Sequence, residues 1–325
     1  MKKNKRNILI TCAGGSASIY MAQQLSARHT IFLADADERS IAPFLGFPFK
    51  RIPLGKSKNY LSAIKKLVRI WNIDCIVPGA DEELRVISRY SRSAKNVSAV
   101  VPNDQFIKKC LNKYELMLEL HKLKISSLLP WNTLRHVRYP AIVKPRYGRG
   151  SRGVHVVHNR KQLLGYIALY KVHFSDLVVQ PYINGTEYTV SVIVNNKNAL
   201  IGVVPKRVIL KRGITRVAVA ERHKAIEDVC GMIVKKMNPC GPFNVQLMRL
   251  KNTLYIFEIN PRLSTTSVLT DRAFGNEIDL YIRHENATVI KRKPEFRSGM
   301  YLYRYEKNCF RTGRKSLTKY LSDRE

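Results

Sequence analysis

The chain has 325 residues, 45% of them hydrophobic, enough for about two domains with real cores. Its 57 lysines and arginines against 24 acids leave a net charge of +33, which attracts polyanions and says nothing about fold. No run of about 18 apolar residues occurs, so no spanning helix is expected; the apolar ILI near the start is too short for a secretory signal, and six scattered cysteines without CxxC or Cys/His spacing point to a reducing, cytoplasmic setting rather than a disulfide or zinc scaffold.

Residues 7–12 (NILITC) read as a strand that stops at Gly14-Gly15. A helical stretch over 16–27 and a second strand, 30–34 (TIFLA), follow, which is the opening of a parallel α/β sheet. A glycine turn after a first strand can present backbone amides to a phosphate, and Asp35 stands where a dinucleotide fold keeps a ribose-binding acid. The third glycine of that fingerprint is missing, and a tight strand-to-helix turn explains the same residues. Helical periodicity over 60–71 precedes a strand at 74–77, the sequence PGADEEL and another strand at 97–101. Asp81 and Glu82 suit either the start of the next helix or an acceptor site.

Residues 103–123 read as a linking helical segment. From 141 onward strands dominate: AIVKP, GVHVV, LVVQPYI, YTVSVIV, LIGVVP, FNVQLMRL and TLYIFEI, with a helix expected over 220–237. The stretch KPRYGRGSRGVHVV, 144–157, sets three glycines among arginines between two strands. Glycine lets successive amides approach an anion, and Lys144 closes an apolar strand as a fixed charge. The spacing is not that of a P-loop, so a hairpin flap over a ligand is expected. In 243–264, Glu258 and Asn260 are two apart and share a strand face, with Gln246 on the preceding strand. One carboxylate and two amides form a hard-oxygen set suited to Mg²⁺, with Arg262 beside it to clamp a phosphoryl group. Between these segments, backbone at 181–183 can meet an adenine edge, and Gln180 or Glu187 can meet ribose hydroxyls.

The order of lysine, glycine flap, Q-P-Y-I-x-G-x-E and Q…E-I-N-P-R resembles the ATP-grasp superfamily, in its carbamoyl-phosphate-synthase-like branch. The resemblance runs over nearly the whole chain, and IVPGADEEL at 76–84 is similar to the preATP-grasp unit. It implies a Rossmann-like α/β domain over 1–102 followed by an α+β ATP-grasp domain over 103–290. The latter would comprise a linking segment, 103–140, a flap subdomain, 141–183, and a metal and substrate subdomain, 184–290. A basic tail, 291–325, has 11 basic and 4 acidic residues and an end expected to be mobile. Position by position, the resemblance implies ATP contacts from Lys113, Lys144, Arg149, Gly150, Ser151, Gly153, Gln180, Tyr182, Ile183 and Glu187. It also implies metal ligands Gln246, Glu258 and Asn260, Arg262 and Lys144 at the transferring phosphoryl group, and an acceptor site at Gly14, Gly15, Asp81 and Glu82. The loop KRGIT at 211–215 falls near the reaction centre. Gln180 and Gln246 stand where an acid is common in the family, which leaves a single clear metal carboxylate.

The activity implied is carboxylate–amine ligation with ATP and Mg²⁺ (Mn²⁺ as an alternative) through an acyl phosphate, on small-molecule or peptide substrates, with a homodimer allowed and no membrane. A regulatory ATP-binding protein is the first alternative. A nucleic-acid-binding protein is the second: charge supports it, while no helix-turn-helix, zinc or RNP pattern does.

Overall fold

The computed structural model describes residues 5–310. The first unit comprises β1 (Asn7–Ile10), α1 (Ser16–Leu25), β2 (Thr30–Asp35), β3 (Phe49–Arg51), α2 (Tyr60–Ile70), β4 (Cys75–Val77), α3 (Asp81–Ser93) and β5 (Ser98–Ala99). Its strands form a parallel sheet in the order β3-β2-β1-β4-β5. The central strand β1 is apolar without alternation because both its faces are covered. Ile8 and Ile10 pack with Met21, Ala22 and Leu25 of α1, while Leu9 faces Tyr60, Ile64 and Leu67 of α2 and Leu84 and Ile87 of α3.

A buried acid fixes the start of α3. Glu83 accepts hydrogen bonds from the hydroxyls of Thr11 and Tyr60 and from the amides of Gly79 and Ala80. Burial pushes its carboxyl up, and four donors hold it in place. The first turn of α3, with Asp81 and Glu82, is thereby fastened to the end of the parallel sheet.

Two short helices, α4 (Asp104–Leu111) and α5 (Lys113–Lys122), follow, capped by Asn103 and Asn112. The flap sheet consists of β6 (Ala141–Pro145), β7 (His155–Val157) and, after α6 (Arg160–Tyr170), β8 (Leu177–Pro181), antiparallel in the order β7-β6-β8. The large sheet is built from β9 (Thr186–Val194), β10 (Leu200–Arg212), β11 (Ile214–Ala220), β12 (Phe243–Leu250), β13 (Thr253–Asn260) and β14 (Met300–Tyr303). Its order is β13-β12-β9-β10-β11-β14, antiparallel throughout. Helix α7 (Lys224–Met237) covers one face, α8 (Ser267–Ala273) and α9 (Glu277–Arg283) the other.

The α/β plus α+β architecture expected from the sequence is present. Two expectations need correction. The helix expected from 220 begins at Lys224, because 214–220 pairs with β10 as β11. Part of the stretch expected to be a tail, Met300–Tyr303, is the edge strand of the large sheet. The mobile end expected for that tail lies outside the described residues. All six cysteines are free thiols, and among the described residues no helix is long and apolar enough to cross a membrane.

Candidate active site

Four separate pieces of chain meet at one cavity of about 230 Å³. Strand β13 contributes Glu258 and Asn260, the flap loop Gly148 and Arg149, the start of α5 Lys113, and the start of α3 Asp81 and Glu82. The register of β12 on β13 sets Gln246 opposite Glu258 and Asn244 opposite Asn260, with a bulge immediately after Gln246. Val245 and Leu247 point to the core on the other face and are fully buried, so Gln246 is committed to the side of Glu258.

Lys144 is the penultimate residue of β6 and is only 4% exposed. Its Nζ donates to the Phe257 carbonyl at 3.0 Å and lies 5.2 Å from the centre of the Phe257 ring. Burial pulls its pKa down to about 8; Glu258 opposes that shift, and Lys113 and Lys211 add to it. Lys113, at the first position of α5, donates to the Gly148 carbonyl at 2.5 Å and lies 3.4 Å from Glu258 Oε1. Two ammonium groups thus flank one carboxylate, an arrangement that favours a second anion in the cavity.

The flap loop is held open by backbone conformation. Gly148, Gly150 and Gly153 have φ of +131°, +68° and +69°, and Ser151 adopts +58°. A side chain at Gly148 or Gly150 would meet nothing within 4 Å, so glycine serves the left-handed backbone there and not packing. Arg149 reaches across to Glu82 at 3.4 Å, and Arg146 stacks on Tyr114 at 4.1 Å. Arg262 Nε donates to Asp81 Oδ1 at 2.6 Å, and both side chains are more than four-fifths buried. Arg262 also borders a smaller recess of about 100 Å³ with Gly15, Ser16 and Thr265.

The cavity therefore brings together Lys113, Arg149, Glu258, Asn260, Asp81 and Glu82, and three further residues touch or face its neighbourhood: Lys144 through the Phe257 carbonyl, Gln246 opposite Glu258 and Arg262 through Asp81. Other expected residues sit differently. Gly14 lends its amide to Asp35 at 2.7 Å, and Asp35 is also held by Ser40 and the Asp37 amide. That acid is 7% exposed and closes its own loop, so the ribose-binding role weighed for it has no geometry here. The Gln180 side chain is fully buried and donates to the Leu128 carbonyl, while its Oε1 has no partner among the described residues. The Tyr182 amide is spent on the Pro140 carbonyl at 3.2 Å, whereas the Ile183 amide has no partner among the described residues. Glu187 pairs with Lys211 at 2.6 Å, which draws the tip of the β10–β11 hairpin toward the hinge. Asp81 and Glu82 are first-turn residues of α3 and ion-pair partners at once.

The donor set tests a divalent cation. Glu258, Gln246 and Asn260 offer oxygens only, on facing strands, which fits Mg²⁺ when phosphates and water complete the shell. Among the described residues no cluster of three or more His, Cys, Asp or Glu side chains exists that could hold a metal by itself.

Residues 110–266 match the model of the ATP-grasp domain. The arginine-specific carbamoyl phosphate synthase large chain of Geobacillus stearothermophilus is 24% identical over 178 residues, which is 50% of this chain but only 17% of that protein. The D-alanine–D-alanine ligase of Petrotoga mobilis is 23% identical over 209 residues, 55% of this chain and 70% of that one. In three dimensions the biotin carboxylase domain dimer of Hydrogenobacter thermophilus 2-oxoglutarate carboxylase, solved with MgADP and bicarbonate, superposes with a TM-score of 0.71 at 14% identity, covering 91% of this chain and 73% of that one.

Proposed function

Through residues 110–266 the chain belongs to the ATP-grasp superfamily, and from that premise we propose that it is an ATP- and Mg²⁺-dependent carboxylate–amine ligase acting on small molecules or peptides. The observation that carries this reading is the convergence of Lys113 and Arg149 with the oxygen donors Glu258 and Asn260 around one cavity under a glycine flap, with Lys144 bonded to the Phe257 carbonyl next to Glu258.

The residues divide the work by their chemistry. Lys113 and Lys144 supply fixed positive charge for nucleotide phosphates, and the loop amides of 148–153 close over them. Ile183 offers its free amide to an adenine edge, and Glu187 offers carboxylate oxygens to ribose hydroxyls. Gln246, Glu258 and Asn260 would hold Mg²⁺, which when bound neutralises phosphate charge. Arg262, aimed by Asp81, faces the phosphoryl group in transfer, where its fork stabilises charge on equatorial oxygens. The carboxylate substrate attacks the γ-phosphorus, ADP leaves, and the amine then displaces phosphate from the acyl phosphate. No protein nucleophile is required, and positioning with charge neutralisation carries the rate. Gly14, Gly15, Asp81 and Glu82 border the acceptor side. Six unpaired thiols support a cytoplasmic setting, and the dimeric biotin carboxylase neighbour makes a homodimer the assembly to test.

The experiment is phosphate release from MgATP across a panel of amino acids and small carboxylates, in wild type and Glu258→Gln. Release that needs one acid and one amine, and is lost in the variant, is expected. Equal release in the variant, or release indifferent to every acid, would sink the assignment.

A further inference from the structure

Arg304 lies outside the segment that matches the ATP-grasp model, just beyond β14, and its guanidinium is partly buried. It donates to the Thr215 carbonyl at 3.2 Å, the Ser16 hydroxyl at 3.2 Å and the Thr265 carbonyl at 2.7 Å. All three acceptors are neutral, and among the described residues no Asp or Glu forms an ion pair with it. A guanidinium has five N–H donors, so each terminal nitrogen keeps one free. Burial and the neighbouring Arg216 both disfavour its charge, which makes an uncompensated cation here costly unless an anion arrives.

The space it faces is large. Between α1 and β14 runs a groove of about 1070 Å³. Its walls are apolar, with Ile19, Phe44, Leu45, Ile214 and Tyr303. Among the described residues its charged lining is Arg216, Arg272, Arg304 and Lys307 against Glu306, and Glu306 is already paired with Arg216 at 2.8 Å. Ser16 lines both this groove and the recess beside Arg262, so the Arg304 end of the groove adjoins the phosphoryl-transfer side. A cationic or neutral occupant would leave Arg304 unpaired, and a nucleic-acid backbone would leave the apolar walls uncovered.

We propose that this groove binds an amphipathic carboxylic acid, with its carboxylate on Arg304 beside Ser16 and its apolar body along Ile19, Leu45 and Tyr303. Resting on the ligase reading only for its role, this acid is the carboxylate substrate, presented head first toward Arg262. Affinity then has two separable parts: a charge-assisted pair at the head and apolar burial along the body.

The test is equilibrium binding of octanoate, butanoate and octylammonium to the full chain without nucleotide, by calorimetry. Octanoate should bind about two hundredfold tighter than butanoate, the gain from four methylenes, and octylammonium should not bind. Arg304→Gln should weaken octanoate by at least tenfold, with Arg304→Lys retaining more affinity than Arg304→Gln, and Leu45→Gln should flatten the chain-length dependence. Octylammonium binding as tightly as octanoate, or unchanged octanoate affinity in Arg304→Gln, overturns the proposal. Because no nucleotide is present, Glu258→Gln should bind octanoate like wild type, and a ligase assay that fails while octanoate still binds would remove the ligase reading and leave the groove.

Discussion

The glycine turns after β1 and after β6 use glycine for opposite reasons. At Gly14 the demand is space: an added Cβ would collide with Ser40 Oγ and sit 3.2 Å from Asp35 Oδ2, while the amide is bonded to that same carboxylate. At Gly148 and Gly150 nothing lies within 4 Å, and the demand is a left-handed backbone, with φ of +131° and +68°. The first turn is a locked corner of a core; the second is a loop whose amides remain available. A glycine beside a strand signals a phosphate cradle only in the second case, and what separates the two is where the backbone amides go.

The largest expected effect breaks the locked corner. Gly14→Ala should cost about 2 kcal/mol of global stability, the usual scale for overpacking a tight site. It should lower the denaturation midpoint of the chain while leaving nucleotide affinity unchanged in the molecules still folded. An unaltered midpoint would mean that the Ser40–Asp35 loop yields, and that the turn is less rigid than its contacts imply.

The open loop is sharpened through the lysine beneath it. Burial holds the Lys144 ammonium down to about 8, against an ordinary 10.5. The unfolded chain therefore holds more protons between pH 8 and 10.5, so this group makes stability rise with pH across that window. Nucleotide binding runs the other way, since a phosphate favours the ammonium. MgADP binding at pH 8.5 should take up a proton, and affinity should fall as pH rises through 8. Lys144→Met should lose at least about tenfold in affinity, as expected for a charge-assisted contact, and abolish the proton uptake. Calorimetry in buffers of different ionisation enthalpy reads both. Lys206 provides the control: it too is buried and lowered to about 8, but it is held by the Ser191 and Thr270 hydroxyls away from the cavity. Lys206→Met should keep the uptake.

Much of this site was legible because it rests on local rules. Strand alternation places Glu258 and Asn260 on one face, and an apolar run ending in Lys144 announces a buried charge. What sequence could not supply was the far partner. Arg262 and Asp81 are 181 residues apart, and nothing in either neighbourhood announces their pairing. The Gln180 contact was hidden for the same reason: its partner is the Leu128 carbonyl, 52 residues away, and a polar side chain on a strand does not reveal which face is core. Strand β11 escaped because ITRVAVA runs into a helix after only three residues, and β14 because an edge strand with exposed tyrosines resembles a basic tail. Arg304 carried no signal at all, since its meaning lies in the acid it lacks.

Gly150→Ala tests the claim of conformational demand directly. With no steric neighbour, its cost should be the left-handed backbone penalty alone, about 1–2 kcal/mol, spent within the loop. The global midpoint should stay put, while hydrogen exchange across 148–153 quickens and MgADP affinity drops several-fold. A fall in global stability like that of Gly14→Ala would erase the distinction between the two turns.

The smallest effect comes from the link between them. Glu82, fixed on the parallel unit by the Glu83 anchor, meets Arg149 of the loop at 3.4 Å, and the pair is partly exposed at 46% and 36%. An ion pair of that exposure is worth a few tenths of a kcal/mol in water and fades with salt. Glu82→Gln should therefore leave stability unchanged and raise exchange in the loop by about twofold at low salt, with no difference at 1 M salt where the Debye length falls to about 3 Å. Loop exchange that responds strongly to this substitution, or does so equally at high salt, would show that the rigid half of the molecule holds the flap through more than charge.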